Sequence, residues 1–380
     1  MASDVTSAEA ALLATLEGLL DGGRIRSGGV LQGRKVLVAG NRSGLIVCAL
    51  AKAGAEVTAH VFDIHHAKAM QGRLREARLD EGIVRCTANV PKGAYDRAYF
   101  MTTPLSMTGE LVLDQLEDIR TNLAVGGELF AAFEGDPQES LKTMKKVFAR
   151  VHVLPTQAQS RRDRRRGVLS LFRAVKGEAD ANAKRRSFAA EWTASVPGGE
   201  MRTFVSLPGC FCHRRADVGG LALAETACAQ VGGVDGGELA VLDMGCGCGF
   251  VGLLAVDFLR ARGHKVRLTL LDSHARALAA AKVNAERLGF ADARLVLADD
   301  GVPEGDDAGY DLFLGNPPYY GDWRIAETFI ATARRALRKG GVCMTVAKSD
   351  GGLHEIQAKA FGDAAVTRRR GYCVFSSIHP

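Results

Sequence analysis

Twice in this chain an apolar, strand-length run ends in a glycine-bearing loop that opens a helix, and the next apolar run is closed by an aspartate. The first copy reads Lys35-Val36-Leu37-Val38-Ala39, then Gly40-Asn41-Arg42-Ser43-Gly44, with a helix over 45–53 and a strand over 56–62 closed by Asp63. The second has a strand over 239–242, then Asp243-Met244-Gly245-Cys246-Gly247-Cys248-Gly249, a helix from Phe250, and a strand over 266–271 closed by Asp272. From Gly40 to Asp63 is 23 residues, and from Gly245 to Asp272 is 27. Later strands correspond as well: 82–86, 97–101 and 128–133 in one half, 294–297, 311–314 and 342–346 in the other. Each half even ends alike, with Arg164-Arg165-Arg166-Gly167 and Arg368-Arg369-Arg370-Gly371 each preceding an apolar run. Alternating strands and helices specify an α/β fold with a doubly wound parallel sheet. The duplication predicts two tandem Rossmann-like domains, 1–180 and 181–380, joined by the polar segment 176–186. A helix is expected over 8–20, before a glycine-rich loop at 22–33.

The two copies do not keep the same chemistry. Glycines after a first strand let the backbone approach a ligand and aim a helix amino terminus at it. The second copy has three glycines at alternate positions. The first has Asn41, Arg42 and Ser43 there, whose side chains would fill the space of a nucleoside. After the fourth strand the second copy reads Gly315-Asn316-Pro317-Pro318-Tyr319-Tyr320, where the first has Thr102-Thr103-Pro104. Two prolines cannot continue a central strand, and the residue before a proline is pushed to an extended conformation. Asn316 is therefore expected at the strand's carboxyl end, where open α/β sheets bind ligands. Its side-chain oxygen and the Pro317 carbonyl are two acceptors that can grip a planar amine, with Tyr319 stacking on the ring that carries it. The amino-terminal domain is thus expected to be a degenerate shell that positions substrate, and the carboxyl-terminal domain to be catalytic. Gly247, Gly249 and Gly252 also satisfy the dinucleotide fingerprint, with Asp272 as ribose ligand. An NAD reading, however, finds no catalytic feature here and leaves Asn-Pro-Pro-Tyr unexplained.

A net charge of +6 permits a polyanionic partner without demanding one. Nine cysteines include the pairs Cys210/Cys212 and Cys246/Cys248 but no CxxC, which fits neither a disulfide framework nor ordinary zinc spacing, so no metal is expected. No signal peptide is evident, and the most apolar region, 239–259, is interrupted by Asp243 and glycines. The expected compartment is the cytoplasm, without membrane contact, and no feature demands more than a monomer.

Taken together, Asp-x-Gly-x-Gly-x-Gly, a strand-end Asp, the acidic pair Asp299-Asp300 and Asn-Pro-Pro-Tyr resemble class I S-adenosylmethionine-dependent amino-methyltransferases. Within them the chain is similar to the methyltransferase small domain group that contains the 16S ribosomal RNA guanine-N2 methyltransferases, duplicated proteins with a degenerate first copy. Leu207-Pro208-Gly209-Cys210-Phe211-Cys212 followed by Asp217-Val218-Gly219 is similar to that family's Pro-Gly-Val-Phe-Ser and Leu-Asp-x-Gly stretch. Cysteines replace the family's usual Val and Ser, and Tyr319-Tyr320 replaces Phe-His.

The resemblance implies S-adenosyl-L-methionine as cofactor and an exocyclic amine as acceptor. Gly245, Cys246, Gly247 and Gly249 would form the cofactor loop, and Asp243 would orient it or meet the cofactor's amino-acid end. Asp272, with Ser273 beside it, would take the ribose hydroxyls, and Asp299 or Asp300 the adenine amine. Asn316, Pro317, Pro318 and Tyr319 would form the catalytic motif, with Asn316 also bordering the cofactor. The implied partner is ribosomal RNA or a ribosomal subunit particle, with the arginine clusters 161–166 and 368–370 as phosphate ligands. Two other readings are a methyltransferase of a protein glutamine, or of adenine or cytosine in a nucleic acid. A non-enzymatic RNA-binding scaffold is the third, and it requires the second glycine loop to be inactive.

Overall fold

The structure, a computed structural model, describes residues 9–13, 31–40, 43–102, 109–155, 169–231, 238–302, 309–318, 323–349 and 351–380. The chain divides into two units, Met1–Phe188 and Ala189–Pro380. In the first, β1 (Lys35–Ala39), β2 (Glu56–Val61), β3 (Val84–Cys86), β4 (Tyr95–Thr102), β5 (Leu123–Glu134), β6 (Val151–Leu154) and β7 (Leu169–Val175) form one sheet in the order 3-2-1-4-5-7-6. Its helices are α1 (Leu45–Lys52), α2 (Ile64–Glu76), α3 (Gly109–Asn122), α4 (Pro137–Lys145) and α5 (Glu178–Asn182). Of the helix expected over 8–20, residues 9–13 are helical, and the rest lies outside the described residues.

The second unit opens with a hairpin, β8 (Ala190–Ala194) and β9 (Arg202–Ser206), and the helix α6 (Val218–Val231). Then come β10 (Glu238–Met244), α7 (Phe250–Arg260), β11 (Lys265–Asp272), α8 (Ala275–Arg287), β12 (Arg294–Leu297) and β13 (Tyr310–Gly315). The unit closes with α9 (Arg324–Ala336), β14 (Leu337–Ala347), α10 (Gly352–Phe361), β15 (Ala365–Arg369) and β16 (Tyr372–Ile378). The sheet order 12-11-10-13-14-16-15 repeats that of the first unit strand for strand. Only the last two strands of each sheet run antiparallel to their neighbours, as the pairings of β7 and β16 show.

Both sheets are covered on both faces, as a doubly wound sheet requires. Along β10, Val241 packs into one core while Ala240, Leu242 and Met244 pack into another. Along β1, Val36 and Val38 face one core and Leu37 and Ala39 the other. The period of two places these cores on opposite sides of each sheet. Among the described residues no helix is long and apolar enough to cross a membrane.

The units correspond in detail. Asp96 Oδ2 accepts the Lys35 N–H at 2.9 Å, and Asp311 Oδ2 accepts the Ala240 N–H at 2.7 Å. These contacts set the same register, Val36 opposite Arg97 and Val241 opposite Leu312. Counting five residues on from each aspartate corrects one expectation: Met101, not Thr102, stands at the place of Asn316, and Thr102 matches Pro317.

Residues 176–186 are not a linker. Lys176 is buried and donates to the carbonyls of Thr121 and Leu123. Asp180 accepts the Ala149 N–H, Arg185 pairs with Asp114 and Asp118, and Arg186 pairs with Glu117. The segment is polar because α3 carries buried carboxylates that require cationic partners. The chain therefore divides after Phe188 rather than near residue 180.

Candidate active site

Strand β10 has β11 on one side and β13 on the other, so the chain turns both ways from its carboxyl end. Such a switch point leaves a crevice at the strand tips. The loop leaving β10 turns on Gly245, Gly247 and Gly249, with φ of 69°, 56° and 79°. A Cβ at Gly245 would stand 2.7 Å from the Phe329 ring, and one at Gly249 would stand 2.9 Å from Leu253. A Cβ at Gly247 would meet no described atom within 4 Å. The outer glycines are thus crowded by side chains, whereas no described atom crowds the middle one.

Four of the loop's N–H donors have partners within the unit. Gly245 and Cys246 N–H both reach Leu271 O, at 2.8 and 3.0 Å, and Gly249 N–H reaches Cys246 O at 2.8 Å. The Gly247 N–H donates to Asp272 Oδ2 at 2.8 Å, while Asp272 Oδ1 accepts from His274 N–H at 2.8 Å. Asp272 therefore braces the loop from the tip of β11. The side chains of Cys246 and Cys248 belong to the apolar core, and burial raises both thiols, that of Cys248 to about 12. They pack, and are not nucleophiles. Asp299, beyond β12, is half-buried, whereas Asp300 is exposed.

Asp243 is only 2% exposed and accepts the Gly252 N–H at 2.8 Å, which ties the strand end to the first turn of α7. Burial raises its carboxyl to about 7; that hydrogen bond opposes the shift and the Asp272 charge adds to it. Between pH about 4 and 7 the unfolded carboxyl is ionised while the folded one keeps its proton. The folded state then binds the extra proton, so stability falls as pH rises through that window and levels off above about 7. Relative to Asp243→Asn, the wild type should lose roughly 3–4 kcal/mol between pH 4 and pH 8. Denaturant melts across that range check this; parallel profiles would mean that Asp243 is ionised throughout.

Register places Gly315 opposite Met244, so Asn316 leaves its strand beside the first glycine of the loop. Asn316 is half-buried and Pro317 buried; Tyr319 lies outside the described residues. Asn316 Nδ2 donates to Asp217 Oδ2 at 2.7 Å, and the same oxygen accepts the Gly220 N–H at 2.6 Å at the start of α6. Asp217 was legible as part of a motif but not as a site residue. Its signal was that of a helix cap, an aspartate just ahead of a helix.

The first unit keeps the turn and closes the space. Gly40 and Gly44 have φ of 73° and 78°, but a Cβ at Gly40 would stand 2.2 Å from Met101 O, on the end of β4. At Gly245, among the described residues, only the Phe329 ring comes within 4 Å. Val38 stands at the place of Asp243. Glu9 Oε1 accepts the Leu45 N–H at 3.2 Å and the Ser43 hydroxyl, which caps the helix end from within the chain. Asn41 and Arg42 lie outside the described residues.

The second arginine cluster also makes contacts within the second unit. Arg369 and Arg370 pair with Glu225, at 3.3 and 2.7 Å, and Arg368 Nη1 lies 3.2 Å from Cys373 Sγ. Glu225 is 4% exposed on α6, and a buried carboxylate requires such partners. The Arg369 and Arg370 pairs clamp α6 to the β15–β16 hairpin, while both side chains remain partly exposed. The cluster 161–166 lies outside the described residues.

A ribosomal RNA small subunit methyltransferase C from Pseudomonas paraeruginosa is 30% identical over 283 residues, spanning 72% of this chain and 77% of that protein. This chain belongs to the ribosomal RNA small subunit methyltransferase C family. Residues 201–376, which contain the site, match the methyltransferase small domain model. A ribosomal RNA large subunit methyltransferase G from Stutzerimonas stutzeri is 27% identical over 374 residues, 94% of this chain and 88% of that one. The fold of the family is also that of a solved T. thermophilus 16S rRNA N2 methyltransferase in complex with AdoMet and guanosine. That structure superposes with a TM-score of 0.73 at 20% identity, covering 92% of this chain and 88% of its own.

Proposed function

We propose that this chain transfers a methyl group from S-adenosylmethionine to the exocyclic N2 amine of a guanine in small-subunit ribosomal RNA, in the cytoplasm. The observation that carries the reading is the juxtaposition, in the second unit, of an open glycine loop with the Asn316-Pro317 acceptors on the adjacent strand end. The loop fits the cofactor: space lies over Gly247, Asp272 stands at its rim, and a half-buried carboxylate, Asp299, follows the third strand. When bound, the cofactor supplies a methyl group on a sulfonium that keeps the bonding electrons.

The chain's own residues position the acceptor. Asp272 holds a ribose diol and Asp299 an adenine amine. Asn316 Oδ1 and Pro317 O accept the two N–H groups of the guanine amine, which turns its lone pair out of ring conjugation. Preorganised acceptors of this kind favour the charge that develops on the nitrogen. Tyr319 supplies the stacking face for a base drawn out of its helix. The first unit, with its loop closed against Met101, supports substrate rather than cofactor.

The length of the match to the large subunit methyltransferase G favours one second reading, the same chemistry on the other ribosomal RNA. Incubation of the purified protein with isotopically labelled S-adenosylmethionine and each ribosomal subunit, followed by mass spectrometry of nucleosides, separates the two. Label is expected on guanine N2 of small-subunit RNA. Label on adenine, cytosine or a protein would sink the assignment, and label on large-subunit RNA would select the second reading.

A further inference from the structure

Building on the methyl-transfer reading above, we infer that Asp217 is a positioning residue for the reaction, holding the Asn316 amide with its oxygen toward the substrate amine. An asparagine amide has a donor end and an acceptor end related by a half-turn, and only the oxygen can receive an amine N–H. Turned the other way, Asn316 would face the substrate's two donors with two of its own. A carboxylate only accepts, so the 2.7 Å contact with Asp217 Oδ2 fixes the nitrogen on that side and leaves Oδ1 for the substrate.

The carboxylate is itself held. Gly220 N–H donates to it at 2.6 Å, and Cys212 Sγ lies 3.8 Å from its other oxygen. A Cβ at Gly220 would stand 3.1 Å from Oδ2, a tight contact that glycine avoids. The loop that delivers Asp217 is strained: Cys212 and Arg214 have φ of 52° and 75°. Left-handed backbone is unfavourable for L-residues and persists where the surroundings over-determine it. Here the buried Ser206 hydroxyl accepts the Arg214 N–H at 3.1 Å and meets His213 Nδ1 at 2.9 Å.

This bond also has an electronic consequence. An amide whose N–H is bonded to a carboxylate is polarised, which makes its oxygen a stronger acceptor. In the transfer, the amine lone pair forms the N–C bond, the C–S electrons stay on sulfur, and one nitrogen proton passes to water. Positive charge grows on the amine as the bond forms. The strengthened oxygen therefore favours the transition state over the ground state.

Asp217→Asn keeps a residue able to cap α6 and removes the charge. It should lower kcat about 30-fold, the worth of one charge-assisted hydrogen bond, and leave the Kd for S-adenosylmethionine unchanged. In an Asn316→Ala background the same change should cost under about 3-fold, because its route of action is gone. Independently of turnover, the Asn316 side-chain NH2 signals, assigned by their loss in Asn316→Ala, should move in Asp217→Asn toward the position of a free amide. Equal losses of kcat in both backgrounds, or unmoved NH2 signals, would overturn the proposal and leave Asp217 a helix cap. A wild-type protein that methylates no guanine would overturn the underlying reading instead, and the NH2 signals would still decide whether Asp217 holds the amide.

Discussion

Asn316→Ala is expected to lower kcat by about 100-fold or more while the Kd for S-adenosylmethionine changes little. The reason lies in when its contact matters. In the ground state the guanine amine is nearly planar and a weak donor, so Asn316 Oδ1 adds little to binding. As the nitrogen pyramidalises and gains positive charge, its N–H groups become stronger hydrogen-bond donors, and a preorganised acceptor is worth most at that point. Loss of one such group typically removes two to three decades of rate. A fall in kcat with KM nearly constant is the signature of an interaction made in the transition state. The fold should tolerate the change, because Asp217 keeps its second partner, the Gly220 N–H. Single-turnover methylation of ribosomal RNA, with cofactor affinity measured by titration, tests this. Near-normal turnover would reduce Asn-Pro-Pro-Tyr to a turn.

The parts legible in the sequence are those whose chemistry is local. Gly245, Gly247 and Gly249 are needed for positive φ within one turn, and Asn316 is held extended by the proline that follows it. Register then brings these two local features together at adjacent strand ends. What escaped was long-range. The Asp217–Asn316 bond spans 99 residues, and neither local pattern announces it. Helix α6 is buried on nearly every side, so it shows no amphipathic period from which to read it. The segment 176–186 looked like a linker because its cations are partners of carboxylates on α3, far away in sequence. The pairing of Arg369 and Arg370 was hidden for the same reason, since their partner Glu225 lies nearly 150 residues earlier. Charge is ambiguous in sequence because a solvated cation and one buried against a carboxylate have the same letter.

Gly247→Arg should abolish cofactor binding while leaving the protein folded, and the wild-type chain should bind one S-adenosylmethionine. The two glycines that flank Gly247 are fixed by packing, against Phe329 and Leu253, so substitution there would disturb the core. Gly247 differs. Its φ of 56° costs an L-residue about 1–2 kcal/mol, but no described atom lies within 4 Å of where a Cβ would stand. An arginine there enters the space in which the nucleoside is proposed to lie. The chain carries a precedent, because Arg42 occupies the corresponding place in the first copy, whose loop is also approached by Met101 O. Isothermal titration with S-adenosylmethionine or its demethylated product should therefore give a single site in the wild type and none in the variant. The melting temperature should fall by only a few degrees, in keeping with the backbone strain. Two equivalent sites in the wild type would mean that the first unit has kept its cradle. Undiminished binding by the variant would place the cofactor away from the Gly245–Gly249 loop.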